Sequence, residues 1–557
     1  MFPNPLDYVN IPTLRTNTPD DAPFIKEEIA IVTKNLHKGK APGPDGIDNI
    51  IIQQINKRFP ILFMELFNKY LHLGTFPDPL KLGNIILFKK EGKSEDEASS
   101  YRPISLLPTV VKVLEKLLTQ RLNYHLERLN KISDNQYGFK EGRSTELAIH
   151  HLIQKINEGK KKNPHVLVLS IDIKGAFDNI QHSSIANYLD NSHCPKNIST
   201  IFRNLLNRKI ILNSSEGPAI RDQRMGCPQG SCSDPTLWNL VANEILQETW
   251  PGNTAIQAFA DDFVIVSQAP TKIKIGNQIH VAIEKFINWA NKNKLQISTG
   301  KTQYILFSKL TRPPRIRWQG ETIQRKRTIK YLGLLIDDKL NWNAHLQNLS
   351  TKSFTLYQNL LKITGKNWGF SPKLRRMLYK TVIERMLAYG AAVWCLYPPV
   401  RIKRKLNTIQ RPFLLALTGA YRTTATSALQ VILGIPPLYL QLQQEARVTA
   451  IRRLNISLPD TLTTLVLGEV EKGETGWAAH PAECPSEEQI SLVDGGGITS
   501  ETLIYTDGSK TEKGVGAAFC VWTGQNIVYR WLAKLQDYNK VFQAELLALR
   551  PTSLTSQ

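Results

Sequence analysis

The stretch QAFADDFVIVSQ, residues 257–268, places two adjacent acids, Asp261 and Asp262, at the tip of what reads as a buried hairpin. Its flanks, Ile256 to Phe259 and Phe263 to Val266, are apolar, β-branched and aromatic, the composition of strands packed into a core. Neighbouring carboxylates repel, and burying them is costly. An ordinary tight turn uses Asn-Gly or Asp-Gly instead. A divalent cation turns two repelling carboxylates into ligands. A solvated Asp-Asp turn is the other reading, and one hairpin does not decide between them.

A third carboxylate stands in LSIDIKGAFDNI. Asp172 ends a buried strand expected over 166–173, where the chain opens into a glycine-containing turn, a usual place for a site residue on a rigid scaffold. The 89 residues from Asp172 to Asp261 leave room for intervening helices. Adjacent strands of one sheet would then bring the acids together. A helix-capping Asp172 in an unrelated sheet is the alternative.

Lys plus Arg number 70 against 48 Asp plus Glu, a formal net charge of +22 over 557 residues. That excess points to a polyanion, nucleic acid before acidic membrane. The six cysteines form no CxxC pair and no Cys/His cluster, so neither a disulfide framework nor a zinc knuckle is expected. Cys227 and Cys232 read as packing. No apolar run suits a transmembrane helix and the N-terminus lacks a secretory pattern, so an intracellular setting is expected.

Helical periodicity appears in APFIKEEIAIVTKNL and twice between residues 50 and 73, around the irregular loop KGKAPGPDGID. NIILFKK reads as a strand, and the segment around Arg102 and Pro103 as extended. Apolar residues at 110, 113, 114, 117, 118 and 122, and at 279, 283, 286, 287 and 290, each mark one helix face. TQYILFS and IKYLGLLID read as strands. After about Leu340 helices dominate, with a basic cluster RIKRKLNTIQR at 401–411. Residues 468–500 are acidic and rich in Gly and Pro, as a linker is, and strand character resumes in LIYTDGSKTEKGVGAAFCVW.

Eight stretches in this order resemble the reverse transcriptases of non-LTR, LINE-like retrotransposons of the jockey type: KAPGPDGI, YRPISLL, NQYGFKEGRST, DIKGAFD, GCPQGSCSDPTLWNL, FADD, KTQYILFS and YLGLLID. The likeness covers roughly residues 30–460. It implies an α/β right-hand polymerase with fingers, an antiparallel palm sheet and a helical thumb. The expected domains are an N-terminal extension with the APGPDG loop (1–70), fingers and palm (71–337), thumb (338–460), linker (461–500) and a partial RNase H-like domain (501–557). It further implies RNA-templated DNA synthesis from a primer 3′-hydroxyl, with RNA template, DNA primer or target and dNTPs as partners, in a ribonucleoprotein of nucleus and cytoplasm. Asp172, Asp261 and Asp262 would bind two Mg²⁺ ions, with Mn²⁺ as the alternative.

The remaining roles follow from that resemblance and from side-chain chemistry. Phe177, five residues past Asp172, would close the sugar pocket against a 2′-hydroxyl, where viral RNA polymerases carry a polar residue. Its alternative is an ordinary core Phe. The N–H groups of Gly175 and Ala176 would hold triphosphate oxygens. Gln229 and the flexible Gly230 would sit where template and incoming nucleotide pair. Lys301 would protonate the leaving pyrophosphate, and Lys90 and Arg102 would reach the triphosphate as point charge and fork. A thumb helix carrying the 401–411 cluster would grip a duplex backbone.

At the ends, about forty residues precede the APGPDG loop, too few for the endonuclease of full-length relatives, so target cleavage is not expected. Asp507 in YTDGSK and Glu545 in FQAELLALR resemble the first two carboxylates of a type 1 RNase H. No acid follows Glu545, so this degenerate site is expected to be inactive. A group II intron-type maturase and a decayed fragment that only binds RNA are the competing readings.

Overall fold

The computed structural model describes residues 18–456, apart from 91, 98–99, 215–216, 228 and 363–369, and the strands Thr502–Thr511, Gly514–Thr523 and Asn526–Leu535. The strands that frame the site are β1 (Leu82–Lys89), β2 (Tyr101–Leu106), β3 (His165–Ile171), β4 (Arg208–Ser214), β5 (Gly217–Gln223), β6 (Thr254–Phe259), β7 (Asp262–Ala269) and β8 (Gln303–Phe307). One sheet runs in the order Gln324–Arg325, β8, β3, β7, β6. Its central strand β3 is antiparallel to both β7 and β8.

Alternate residues of β3 enter different cores. Leu167, Leu169 and Ile171 pack with helices Thr109–Arg128, Asp234–Gln247 and Lys272–Lys292. Val166 and Val168 pack with helix Thr145–Lys162 and with helices that follow residue 343. A strand covered on both faces needs apolar residues at every position, which is why HVLVLSI shows no alternation. The strand stops at Ile171, short of the expected Ile173. From Asp172 onward the backbone hydrogen bonds go to the loop at 296–302 instead of to a neighbouring strand.

A second sheet, ordered β2-β1-β4-β5, carries Lys90 and Arg102 on the β1–β2 hairpin. Both predicted amphipathic faces form helices, Thr109–Arg128 and Lys272–Lys292. In the first, fully buried Arg121 forks onto Glu28 at 2.9 and 2.8 Å and reaches Asp21 at 3.0 Å. That ties the segment before the APGPDG loop to the same core. Paired in this way, a buried guanidinium is tolerated where a lone one would not be.

The basic cluster lies on helix Val400–Thr418, whose Ile402, Leu406, Ile409 and Phe413 are buried. Several of its charges are already engaged within the chain. Arg401 donates to the Asn341 carbonyl at 2.7 Å, Arg411 donates to the carbonyls of Thr424 and Arg422, and Lys403 stands over the Tyr439 ring. These three residues of the cluster thus also serve the packing of the helix.

The chain divides into units Met1–Pro481 and Ala482–Gln557. In the second, the three strands form an antiparallel sheet in sequence order, with Asp507 opposite Ala518. Glu545 and the linker expected at 461–500 lie outside the described residues. Among the described residues no helix is long and apolar enough to cross a membrane.

Candidate active site

The register of the central sheet builds the site. The last β3–β7 pair is Ile171 with Phe263, and β6 and β7 close through Phe259 with Asp262. One step past the last pair, Asp172 faces Asp262, with Asp261 in the adjoining two-residue turn. Asp172 is fixed through its backbone. Its N–H donates to Thr302 Oγ1 at 3.3 Å and its carbonyl accepts from the Ser298 N–H at 2.8 Å. Its side chain is held more loosely: Asp172 Oδ2 is buried without a hydrogen bond and is ion-paired with Lys301 Nζ at 3.4 Å. The Lys301 side chain is 75% exposed.

Charge repulsion is visible in the acids. Burial first, and then Asp172, pushes the Asp261 carboxyl above its ordinary pKa. Burial, then Asp261, then Asp172, pushes Asp262 up to about 6. Asp262 is open to solvent on one side and crowded on the other, so screening discounts the energy involved. Among the described residues no three His, Cys, Asp or Glu side chains converge into a ready-made metal cage. What suits a divalent cation is the donor chemistry: oxygen ligands only, mutual repulsion, and a buried Oδ2 that makes no hydrogen bond and, among the described residues, meets a single cation, Lys301.

A stability prediction follows. A carboxyl whose folded pKa is raised favours the fold while protonated, below about pH 4, and that contribution is lost as pH rises through 6. After discounting for exposure, ionised Asp262 costs about 1 kcal/mol near neutrality. Asp262→Asn is therefore expected to raise the melting temperature by about 2 °C at pH 7.5 without divalent ions, and to leave it unchanged at pH 4. Thermal denaturation in a chelator checks both points.

The turn after Asp172 is left-handed at Gly175 (φ 52) and starts the short helix Ala176–Asn179. Phe177 is partly buried. Its ring lies 5.5 Å from Trp238 and meets Phe139 edge-on at 6.5 Å. Its carbonyl accepts from the Cys227 N–H at 2.9 Å. A Cβ on Gly226 would stand 2.5 Å from the Asp178 carbonyl oxygen, so only glycine lets the two segments touch.

Gln229 Nε2 donates to Asp178 Oδ1 at 2.9 Å, a partner sequence reasoning did not foresee. Burial raises the Asp178 pKa, while Gln229 and the charge of Lys90 favour its ionised form. Gly230 lies against the Ser105 carbonyl of β2, and the Gln229 carbonyl accepts from the Ser105 N–H at 2.8 Å. Arg102 is exposed on β2. The structure thus gathers Asp172, Asp261, Asp262 and Lys301 at the end of one sheet. Gly175, Ala176, Phe177, Gln229, Gly230 and Lys90 stand on segments bonded or close to that end.

Sequence reasoning also missed the support behind residues 227–234. Buried Glu115 accepts from Ser231 Oγ at 2.8 Å and from the Cys232 N–H at 3.2 Å, and pairs with buried Arg208. Asp234, fully enclosed beside Arg208, is pushed well above the ordinary carboxylate range by burial. An apolar helix face at residues 110–122 gave no sign that Glu115 points inward. Cys227 and Cys232 pack as expected, and burial raises both thiols.

Residues 88–336 match the family model for reverse transcriptase (RNA-dependent DNA polymerase). A putative 115 kDa protein in the type-1 retrotransposable element R1DM of Drosophila melanogaster is 31% identical over 74% of this chain and 40% of its own length. The Pol polyprotein of element R1 from Bradysia coprophila is 30% identical over 77% and 43%. The RNA-directed DNA polymerase of the mobile element jockey from D. melanogaster is 26% identical over 77% and 48%. The chain thus spans less than half the length of these relatives. A solved telomerase from Candida tropicalis aligns with 71% of this chain and 66% of its own at 12% identity, with a TM-score of 0.38, too low to carry an argument. By its matched residues and its relatives, the chain carries a reverse transcriptase domain and is similar to the reverse transcriptases of non-LTR retrotransposons.

Proposed function

We propose that this chain extends a primer 3′-hydroxyl with dNTPs on an RNA template. The observation that carries the reading is the register that sets Asp172 opposite Asp262, with Asp261 in the adjoining turn. These three residues would hold the divalent ions, Mg²⁺ with Mn²⁺ as the alternative. When bound, such ions supply activation of the primer hydroxyl and neutralisation of the triphosphate.

In the reaction, the 3′-hydroxyl gives up its proton to solvent, its oxygen forms a bond to the α-phosphorus, the α–β phosphoanhydride breaks, and pyrophosphate leaves. Lys301, exposed and beside Asp172, would give the leaving group a proton. Lys90 and Arg102 on the fingers hairpin would face the triphosphate, with the Gly175 and Ala176 N–H groups below. Phe177 would bar a 2′-hydroxyl, and Gln229 and Gly230 would line the nascent pair. In this reading residues 71–337 are fingers and palm and 338–460 the thumb. The 1–70 extension, the 461–500 linker and the RNase H-like segment, with Asp507 and Glu545, carry no part of the proposed chemistry. A basic chain with an RNA template would act as a ribonucleoprotein.

Primer extension on an RNA template with purified protein, dNTPs and Mg²⁺ or Mn²⁺ tests this. Template-length, RNase-resistant DNA product is expected. RNA binding with no extension under either metal would overturn it in favour of a binding-only protein.

A further inference from the structure

The peptide next to Asp261 is bent against its preference. Ala260 stands at φ 56, a left-handed region that residues with a Cβ seldom adopt. Such strain persists where the surroundings enforce it. Here the enforcement comes from far away in sequence. Gln136, 1% exposed, accepts at Oε1 from the Ala260 N–H at 3.1 Å and from the Gly138 N–H at 3.0 Å. Its Nε2 donates to the Ala260 carbonyl over a longer 3.5 Å.

Backbone pairing surrounds that side chain. The Tyr137 N–H donates to the Ala258 carbonyl, and the Ala258 N–H to the Asn135 carbonyl, both at 2.9 Å. A Cβ on Gly138 would stand 2.3 Å from Ala260 N, so the two backbones touch. The segment is itself fastened to the helix Asp234–Gln247. Asn239 Nδ2 donates to the Gly138 carbonyl at 2.9 Å, and Asn243 Oδ1 accepts from the Ser133 N–H at 2.7 Å. Those two asparagines lie one helical turn apart on the same face.

We infer that Gln136 is a positioning residue for the acidic turn: it clamps the strained Ala260 peptide and so sets where Asp261 and Asp262 present their carboxylates to the divalent ions. The inference rests on the polymerase reading above. Gln136 acts on the two peptide units that flank Ala260, one through its Oε1 and the other through its Nε2. A side chain that merely filled the core would not need an oxygen aimed at two buried N–H groups.

The test compares wild type, Gln136→Met, Ala260→Gly and the double variant. Methionine keeps length and apolar volume but loses the strong acceptor. Gln136→Met is expected to raise the Mg²⁺ concentration for half-maximal extension roughly tenfold. It should also reduce the rise in melting temperature that Mg²⁺ gives, with the KM for dNTP at saturating Mg²⁺ near that of wild type. Glycine adopts positive φ without strain, so the double variant should behave as Ala260→Gly alone. An active wild type whose Mg²⁺ dependence and Mg²⁺ stabilisation survive Gln136→Met would overturn the inference, as would a double variant as impaired as Gln136→Met. Should Gln136→Met prove too unstable to assay, the double variant against Ala260→Gly decides: equal Mg²⁺ dependence supports the clamp, and a further loss overturns it. A wild type that neither extends primers nor gains stability from Mg²⁺ removes the polymerase reading, and this inference with it.

Discussion

Asp261→Asn is expected to lower the rate of primer extension by at least roughly three orders of magnitude, because several kcal/mol of transition-state charge stabilisation depend on each metal ligand. RNA binding should stay within about twofold, since it draws on a basic surface that the substitution does not touch. The substitution leaves the turn intact. Ala260 keeps its bonds to Gln136, and an amide at 261 removes one member of the repelling set that raises Asp262. The melting temperature in chelator should therefore hold or rise while activity vanishes. That combination separates a lost ligand from a lost fold. Extension that continues in Asp261→Asn would end the assignment of this acid to the metals.

The acids were legible because carboxylates at the ends of apolar strands contradict their surroundings. FADD between two apolar strands, and Asp172 after HVLVLSI, break the local logic of a core, and the sheet register brings them to one end. Helices were legible where one face is apolar, as at 279–290. Strands β4 and β5 were not. The sequence GPAIRDQ has a glycine, a proline and two opposite charges, and among the described residues it forms an exposed edge strand paired with β4. Nothing in its own pattern calls for a sheet. The supports of the site were hidden for another reason. Gln136, Asp178 and Glu115 act through partners about 50 to 120 residues away. A polar residue bonded across the fold looks, in sequence, like any solvated one.

Phe177→Val is expected to raise ribonucleotide incorporation relative to deoxynucleotide by roughly 30- to 100-fold, within the ~1–3 kcal/mol that a pocket of fixed shape commands over one added group. The structure supplies the stiffness this needs. The Phe177 carbonyl is bonded to the Cys227 N–H at 2.9 Å, and the ring is backed by Trp238 at 5.5 Å and by the edge of Phe139 at 6.5 Å. A ring held from behind has no room to yield to a hydroxyl, whereas an unsupported one would turn aside at little cost. Valine keeps an apolar contact with Trp238 but withdraws the part of the ring that would meet the sugar. The KM for dNTP should change little, because excluding a hydroxyl that dNTPs lack does nothing for their binding. A purely structural Phe177 makes a different prediction: a lower melting temperature from the lost aromatic contacts, with the ratio of rNTP to dNTP use unchanged. Measuring that ratio alongside the melting curve for Phe177→Val, with Phe177→Tyr keeping the ring as the control, decides which of the two the side chain serves.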